Sequence, residues 1–560
     1  MYLCRKTNGM YTSSNGLYVA HGPEGPISIC GKMANRHGLV AGATGTGKTV
    51  TLQVLAETFS QAGVPCFMAD MKGDLSGISQ AGRKSGFIEK RIAEFGMAEP
   101  VFAPCPVRFY DVFGQQGHPM RTTVSDMGPQ LLSRLLGLND VQSGVLDVVF
   151  RVADERRLLL IDIKDLRSML GYVSDHSEEY RLQYGNVSAA SVGAIQRALT
   201  GLENEGAAGF FAEPSFDIND LFAVENGRGV MSVLAADRLM MNPKLYSSFL
   251  LWLLSAIYST LPEVGDCELP KFVFFFDEAH TLFTDTSPAL VSKIEQVVRL
   301  IRSKGVGVYF VTQNPGDLPD SILGQLGNRI QHALRAYTPK DQKAVRSAAE
   351  TFRPNPAFKT ADAIMTLETG EALVSFLDEK GAPGVVERAR ILFPLSQIGA
   401  ITEGQRLDLL KASPIYGKYD KMIDRESAFE VLLEEARKAE EEARLQAEKE
   451  AAEAEERKRA EAEARKAASA RPTASLTSSR SSSSKSSSSK GKTLGKTLAT
   501  AAAGAVITSV ARSAGTAAAN AVSGKKPSSK GRSTTEKAVS AATSSLIRTF
   551  ARSILGSLVK

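Results

Sequence analysis

Short, fully apolar runs alternate with longer segments of helical periodicity along most of the chain. The apolar runs predict strands at 39–41, 64–69, 229–235, 272–276, 306–311, 330–336, 372–377 and 385–392. Between them, apolar residues recur at the three- and four-residue spacing of a helix at 50–62, 243–261 and 288–304. Strands that are apolar throughout and alternate with helices are typical of a mostly parallel sheet covered on both faces. The pattern therefore predicts an α/β fold.

A long helical stretch interrupts this alternation. Residues 128–206 are mainly helical, with one apolar break at 158–163. Because the stretch falls between two sets of strands, it predicts an inserted helical subdomain that divides the core into residues 36–127 and 207–424. Residues 1–35 contain short apolar runs separated by Gly-containing turns, and they predict a short β-rich N-terminal segment.

The composition changes abruptly towards the C-terminus. Residues 425–470 consist almost entirely of Glu, Ala, Lys and Arg and predict a charged helix. Alanine at its three- and four-spaced positions buries little surface, so a solvated helix held by ion pairs is favoured over a coiled coil. Residues 471–535 predict a low-complexity basic linker, and residues 536–560 predict an amphipathic C-terminal helix.

Charge is unevenly divided between the body of the chain and its tail. Residues 471–560 contain 15 Lys and Arg and one acidic residue, whereas residues 1–470 contain 52 basic and 60 acidic residues. A basic tail of this kind predicts contact with a polyanion, either nucleic acid or an anionic membrane surface. The acidic body gives no electrostatic indication of nucleic-acid binding.

Cysteine usage and hydropathy bear on the compartment. The five cysteines are scattered without a C-x-x-C pair, so neither a zinc site nor disulfides are expected. The N-terminus lacks a continuous apolar stretch, and the longest apolar run, 249–258, is shorter than the roughly 20 residues that cross a bilayer. We therefore expect a cytoplasmic protein. Peripheral attachment to the inner face of the membrane is an alternative that the basic tail leaves open.

The segment HGLVAGATGTGKTV places a glycine-rich turn between a predicted strand and a predicted helix. Residues 42–49 fit the phosphate-binding P-loop pattern G-x-x-x-x-G-K-[ST], and this setting disfavours a purely structural turn. Backbone N–H groups at such a helix start attract anions, so a triphosphate is the expected ligand. Lys48 is expected to reach the β- and γ-phosphates, and the Thr49 hydroxyl to hold Mg²⁺. The predicted nucleotide-binding residues are Gly42, Ala43, Thr44, Gly45, Thr46, Gly47, Lys48 and Thr49.

A second segment, KFVFFFDEAH, ends a fully apolar strand with two carboxylates. We expect Asp277 to coordinate Mg²⁺ and Glu278 to polarise the attacking water. Alone, the acidic pair is equally compatible with a strand cap or a helix N-cap, but its combination with a P-loop favours the catalytic interpretation. Gln313 stands at the tip of the next apolar strand, where its amide is expected to sense the γ-phosphate or to orient water. The alternative for Gln313 is an ordinary loop residue.

Arginines in and before the segment LGQLGNRIQHALRAYTP are candidates for charge neutralisation. An arginine supplied by a neighbouring subunit accelerates phosphoryl transfer by neutralising charge in the transition state. Arg329 is the first candidate for such a finger, Arg302 a weaker one and Arg335 a further weak one. Surface ion pairing is an equally favoured alternative for Arg329 and Arg302. Asp74, in the turn MKGDLSG, is another weaker candidate for the site.

With GATGTGKT, FFFDEAH, VTQNP and LGNRIQHALRAYTP, the chain resembles the HerA/FtsK group of ring-forming ATPases. Within that group it looks most like the bacterial YjgR-type proteins, which have a HerA-like helicase C-terminal domain. The resemblance covers about residues 33–430. It implies a RecA-like P-loop NTPase core that uses ATP and Mg²⁺ and assembles as a hexamer. The implied site residues are Lys48 and Thr49 of Walker A, Asp277 and Glu278 of Walker B, the sensor Gln313 and the finger Arg329.

Three functions stay open on these observations. The leading hypothesis is an ATP-hydrolysing, ring-forming motor of the HerA/FtsK type that acts on DNA as a translocase or helicase. The second is a membrane-peripheral ATPase that acts on a substrate other than DNA, which the basic tail and its amphipathic end motivate. The third is a scaffold that binds nucleotide without hydrolysing it. Dependence of ATP turnover on DNA separates the first two, and Glu278→Gln tests the third.

Overall fold

The computed structural model describes residues 10–12, 16–206, 209–265, 267–283 and 288–469. The chain divides into two compact units, residues 1–457 and 458–560, and the sheet belongs to the first. The predicted linker at 471–535 and the predicted amphipathic helix at 536–560 lie outside the described residues.

One large sheet forms the centre of the first unit. The strands of the described residues are β1 (Tyr11–Thr12), β2 (Gly16–Gly22), β3 (Gly25–Ile29), β4 (Gly38–Ala41), β5 (Cys66–Asp70), β6 (Val107–Asp111), β7 (His118–Pro119), β8 (Val224–Glu225), β9 (Arg228–Gly229), β10 (Met231–Ala235), β11 (Phe272–Phe276), β12 (Val306–Thr312), β13 (Asn328–Gln331), β14 (Glu371–Ser375) and β15 (Glu387–Ile391). Their order in the sheet is β1-β2-β15-β14-β13-β4-β12-β11-β5-β10-β6-β7, with β3 paired to β2. The short strands β8 and β9 pair separately.

The sheet is mostly parallel, as the sequence predicts. The run from β13 to β7 is parallel, whereas β14, β15, β2, β3 and β1 form an antiparallel edge. The strands predicted at 372–377 and 385–392 are present as β14 and β15, but they belong to the antiparallel edge and not to the parallel run. The connection from β14 to β15, residues 376–386, is too short for the helical crossover that a parallel pair requires, so the two strands pair antiparallel.

Helices cover both faces of the sheet. They are α1 (Lys48–Gln61), α2 (Gly86–Phe95), α3 (Val124–Leu135), α4 (Asp140–Arg156), α5 (Ile163–Asp175), α6 (Ser177–Tyr184), α7 (Ala189–Asn204), α8 (Pro243–Thr260), α9 (Pro288–Ile301), α10 (Asp320–Leu323), α11 (Pro339–Glu350), α12 (Thr360–Thr366), α13 (Glu403–Ala412) and α14 (Ala428–Ser469). The run α3–α7 lies where the helical insertion at 128–206 is predicted. Its apolar side chains join the same core as those of α8 and β11, so this region packs onto the sheet.

Two apolar cores sandwich the sheet, and β11 shows how. Phe272, Phe274 and Phe276 point into the core formed with α3–α9, whereas Val273 and Phe275 point into the core formed with α1. Successive side chains of a strand face opposite sides, so a strand that is apolar at every position is buried on both faces. This explains why the strands that carry the candidate site residues are continuous apolar runs in the sequence.

The first two turns of the charged helix α14 contact the helical region of the first unit. The Ala428 N–H donates to the Leu159 carbonyl over 2.9 Å, and an Arg156 guanidinium nitrogen lies 2.8 Å from the Glu435 carboxylate. The side chains of residues 435–466 are exposed. An exposed helix of this composition is stabilised chiefly by ion pairs between neighbouring turns, such as Arg444 with Glu448.

Candidate active site

The P-loop joins β4 to α1 and is shaped by glycines. Gly45 and Gly47 have φ angles of +77° and +112°, a backbone region that side chains disfavour. A Cβ on Gly42 would lie 2.5 Å from the Cβ of His332, so this position also has no room for a side chain. A Cβ on Gly45 would meet no described atom within 4 Å, which leaves that side of the loop open. Because α1 begins at Lys48 and Gly47 has no capping side chain, the first N–H groups of α1 are available to a phosphate.

The strand order brings the two sequence motifs to one edge of the sheet. Strands β4, β12 and β11 are neighbours and run parallel, so their carboxyl ends lie side by side. The P-loop follows β4, Gln313 follows β12, and Asp277 and Glu278 follow β11. The structure therefore places the predicted phosphate-binding loop and the predicted acidic pair at the same edge, with Gln313 between them.

Lys48 connects the loop electrostatically to the acidic pair. Its Nζ atom donates to the Ala43 carbonyl over 3.1 Å, which folds the side chain back over the P-loop. Burial lowers the pKa of Lys48, while the charges of Glu278 and Asp277 act in the opposite direction. The ammonium group and the two carboxylates thus share one partly buried environment, although they lie far apart in the sequence.

Glu278 is held by polar contacts on both of its oxygens. Its side chain is 8% exposed; the Lys72 Nζ atom lies 2.6 Å from Oε1, and the Gln313 amide donates to Oε2 over 3.3 Å. Burial raises the pKa of Glu278, but the hydrogen bond and charge of Lys72, the hydrogen bond from Gln313 and the charge of His280 together lower it below its ordinary value. An ionised, oriented carboxylate is the form that accepts a proton from water.

Three aspartates, Asp70, Asp74 and Asp277, lie close to Glu278 at the carboxyl ends of β5 and β11. Burial and the charge of Glu278 raise the pKa of Asp277 to about 7, and burial with the charge of Asp74 raises the pKa of Asp70 to about 6. The Oδ1 atom of Asp74 is buried without a hydrogen-bond partner among the described residues. Buried carboxylates that repel one another fit the neighbourhood of a divalent cation, whose charge favours their ionised forms.

The donors fit Mg²⁺ bound together with a nucleotide. In the described residues, no group of three or more His, Cys, Asp or Glu side chains could hold a metal ion by itself. Mg²⁺ usually keeps several waters and binds one or two carboxylates together with substrate phosphates. Asp277 at the end of β11 and the Thr49 hydroxyl in the first turn of α1 are the groups at this edge that suit such a cation.

The arginine candidates lie at the two opposite ends of the parallel strands. The P-loop edge is formed by the carboxyl ends of these strands, and the opposite edge by their amino ends. Arg335 is exposed and follows β13 at the P-loop edge. Arg302, just before β12, and Arg329, in the first half of β13, lie at the opposite edge. Together with Arg36 and Arg299 they line a cavity of about 410 Å³, and none of its described lining residues is acidic.

Arg329 is engaged within its own chain. Its guanidinium donates to three backbone carbonyls, those of Leu326 at 3.0 Å, Leu323 at 2.9 Å and Thr351 at 3.3 Å. These bonds tie the end of α10 and the end of α11 to β13, and burial lowers the pKa of Arg329. The Arg302 side chain lies at the same edge and is exposed.

Three residues of this region were not singled out from the sequence. They are Lys72, which contacts Glu278; His332, whose Nε2 atom lies 2.8 Å from the Thr51 hydroxyl beneath the P-loop; and Gly370, whose backbone contacts the P-loop. Burial lowers the pKa of His332 to about 4, so its ring is neutral. The position of Lys72, two residues after the end of β5, is visible in the sequence. Its contact with Glu278 is not, because it depends on the pairing of β5 with the distant strand β11.

Replacing Lys72 tests whether it positions Glu278. We expect Lys72→Ala to lower kcat for ATP hydrolysis about 10- to 100-fold, because a small displacement of a reacting group has an effect of this size. KM for ATP should change little, since Lys72 contacts the carboxylate and not the P-loop. Steady-state kinetics should also show substantial rescue by Lys72→Arg. Lys84→Ala, which removes an exposed lysine paired with Glu99, is the control; equal effects of the two alanine variants would contradict the prediction.

The glycine-shaped loop at the carboxyl edge of a mostly parallel sheet defines a P-loop nucleotide-binding protein with a RecA-like core. The model of the helicase HerA-like C-terminal family matches residues 17–520, and the chain belongs to that family.

A curated relative supports this assignment over a limited region. The DNA double-strand break repair helicase HerA of Sulfolobus acidocaldarius is 33% identical over 99 residues, which are 18% of this chain and 19% of that protein. The chain therefore matches about a fifth of the length of this relative.

Two solved structures have a similar fold. The bacterial conjugative coupling protein TrwBdeltaN70 aligns with a TM-score of 0.46 and 15% identity, covering 70% of this chain and 92% of that chain. VirB4 of Thermoanaerobacter pseudethanolicus aligns with a TM-score of 0.44 and 14% identity, covering 68% of this chain and 98% of that chain. Separately, no helix in the described ranges combines the length and hydropathy needed to span a bilayer.

Proposed function

We propose that the chain hydrolyses ATP to ADP and phosphate with Mg²⁺ as cofactor. The observation that carries the proposal is the placement of Lys48, Asp277 and Glu278 around one edge of the sheet. Lys48 and the amides of residues 42–49 hold the triphosphate, and Thr49 and Asp277 hold Mg²⁺. When bound, Mg²⁺ neutralises charge on the phosphates.

In this proposal, Glu278 orients the attacking water and accepts its proton. The contact with Lys72 keeps the carboxylate ionised and fixed, and Gln313 links the same carboxylate to the end of β12. Gln313 is therefore the residue through which the presence of a γ-phosphate is sensed. The nucleotide-binding scaffold is disfavoured because a scaffold has no need for an ionised glutamate buried beside the P-loop.

We further propose a ring, a hexamer by family resemblance, in which Arg302 acts on the nucleotide of the next subunit. Head-to-tail rings place one face of each subunit against a different face of its neighbour. The nucleotide site and the arginine-lined cavity lie at opposite edges of the same sheet. They are therefore on two different faces of the subunit, as a head-to-tail interface requires. In this proposal Arg302 ranks above Arg329, because the Arg302 side chain is exposed at this edge whereas the half-buried Arg329 guanidinium holds α10 and α11 onto β13.

DNA is the proposed substrate of this motor. Membership of the HerA-like family and the local similarity to a DNA repair helicase support DNA, and the +14 charge of residues 471–560 supports contact with a polyanion. We expect DNA to stimulate ATP turnover. The apparent affinity for DNA should fall at least about 10-fold between 50 and 200 mM salt, because phosphate contacts release counterions. Phosphate release measured against DNA concentration at both salt concentrations checks this.

The basic tail also favours a second candidate, a membrane-peripheral ATPase. Vesicles with and without anionic lipid, and a chain lacking residues 536–560, distinguish the two. Binding to anionic vesicles that is lost on deletion, together with turnover that DNA does not change, would contradict the DNA proposal and support the membrane. Stimulation by DNA without vesicle binding supports the motor.

A further inference from the structure

An exposed aromatic ring lies next to the P-loop at the start of α2. Phe87 is the second residue of this helix and is 42% exposed, whereas the next residue, Ile88, is buried. Phe87 belongs to neither of the two apolar cores that cover the sheet. One face of the ring is therefore accessible to a ligand.

One residue separates Phe87 from the P-loop. The Gly370 N–H donates to the Thr46 carbonyl over 3.0 Å, and a Cβ on Gly47 would lie 3.4 Å from the Gly370 nitrogen. On its other side, a Cβ on Gly370 would lie 3.9 Å from the Phe87 ring. Gly370 has a φ of +77°, a backbone conformation that glycine adopts readily. Because Gly370 has no side chain, the distance between the Phe87 ring and the P-loop is also short.

Phe87 is also the outer end of a stack of planar groups. The Arg91 guanidinium carbon lies 5.1 Å from the centre of the Phe87 ring and 5.7 Å from that of Phe95, and Phe95 stacks on His21 at 4.7 Å with an interplanar angle of 15°. Arg91 and Phe95 are buried, and Arg91 is fixed further by its hydrogen bond to the Gly370 carbonyl. The stack is therefore rigid, and Phe87 is its exposed member.

The expected orientation of a bound nucleotide also places its base near Phe87. The γ-phosphate must face Glu278, which lies on the β11 side of the P-loop. The rest of the nucleotide then extends towards the other side, where β13 and β14 lie. Gly370 directly precedes β14, so Phe87 stands on the side to which the base points.

We propose that Phe87 is a stacking platform for the nucleobase of the nucleotide held by the P-loop. The ligand class is a nucleoside triphosphate, and the inference rests on the proposed nucleotide-binding function. Aromatic platforms bind every base through its π-face, so Phe87 contributes affinity for the nucleoside and little discrimination between bases. Lys48 and the P-loop amides bind the phosphates in this proposal.

The test compares a ligand that has a base with one that lacks it. Calorimetry measures binding of MgATP and of magnesium tripolyphosphate to the full chain and to Phe87→Ala, Phe87→Leu and Phe87→Trp. We expect Phe87→Ala and Phe87→Leu to weaken MgATP about 5- to 100-fold and to leave tripolyphosphate unchanged, whereas Phe87→Trp retains MgATP binding. Tyr416→Ala, which removes another exposed ring, is the control.

The outcomes separate this inference from the proposed function. A full chain that binds both ligands, with Phe87→Leu binding MgATP as the unmodified chain does, overturns the platform alone. An equal loss of both ligands in Phe87→Leu also overturns it, because the ring would then support the P-loop and not the base. A full chain that binds neither ligand overturns the proposed nucleotide binding and the platform with it.

Discussion

Replacing Glu278 by glutamine is expected to lower kcat for ATP hydrolysis about 10²- to 10⁴-fold, the range that a positioned general base contributes. Glutamine preserves the size of the side chain but cannot accept the proton of the attacking water. Lys48 and the P-loop amides are untouched, so the affinity for MgATP should stay within a few-fold. The variant should therefore bind ATP and fail to turn it over.

Two measurements on the same protein check this expectation. Phosphate release gives kcat, and calorimetry gives the affinity for MgATP. Glu268→Gln is the matched control, because Glu268 is an exposed carboxylate that pairs with Lys32 shortly before β11. Unchanged turnover in Glu278→Gln would show that Glu278 is not the base. A large loss of MgATP affinity would show instead that the carboxylate supports the nucleotide site.

The second large effect concerns Arg302. We expect Arg302→Ala to lower kcat about 10³- to 10⁵-fold, which is the contribution of an arginine that neutralises transition-state charge. Because the nucleotide edge and the Arg302 edge are opposite, the arginine of one subunit serves the next subunit in the proposed ring. The defect should therefore be repaired by a neighbour that keeps Arg302 but has lost its own nucleotide site.

Mixed oligomers provide that neighbour. Lys48→Ala removes the phosphate contact, so homogeneous Lys48→Ala and Arg302→Ala proteins should both be inactive. An equal mixture should recover about a quarter of the unmodified rate, since random assembly places an Arg302→Ala subunit beside a suitable Lys48→Ala neighbour at that frequency. Arg346→Ala, which removes an exposed arginine of α11, is the control and should keep full activity. A mixture as inactive as its components would contradict action between subunits.

The parts of the fold that could be predicted are those with local signals. Fully apolar runs such as 272–276 mark strands buried on both faces, and the P-loop has a fixed spacing, so the mostly parallel core and the family were both predicted and confirmed. The antiparallel edge was not predicted, although the short connection between the apolar runs at 372–377 and 385–392 is visible in the sequence and is typical of an antiparallel pair.

The remaining site contacts depend on pairing between distant segments. Lys72 meets Glu278 only because β5 lies beside β11, and Gly370 meets the P-loop only because β14 returns to the phosphate-binding edge. Arg329 shows the converse case. Its sequence position fits a finger, but the sequence does not show that its guanidinium donates to the carbonyls of Leu323 and Leu326, a few residues before it, and of Thr351, 22 residues after it.

Strand β12 carries a mechanical implication. All seven of its residues are buried, Gln313 follows it directly, and Arg302 lies four residues before its first residue. In the proposed ring, this stiff element joins a group facing the neighbour's nucleotide to a group facing the subunit's own. A shift of Arg302 on loss of the neighbour's γ-phosphate would then be transmitted along β12 to Gln313 and so to Glu278 of the same subunit. ATP hydrolysis would therefore proceed from one subunit to the next in sequence around the ring.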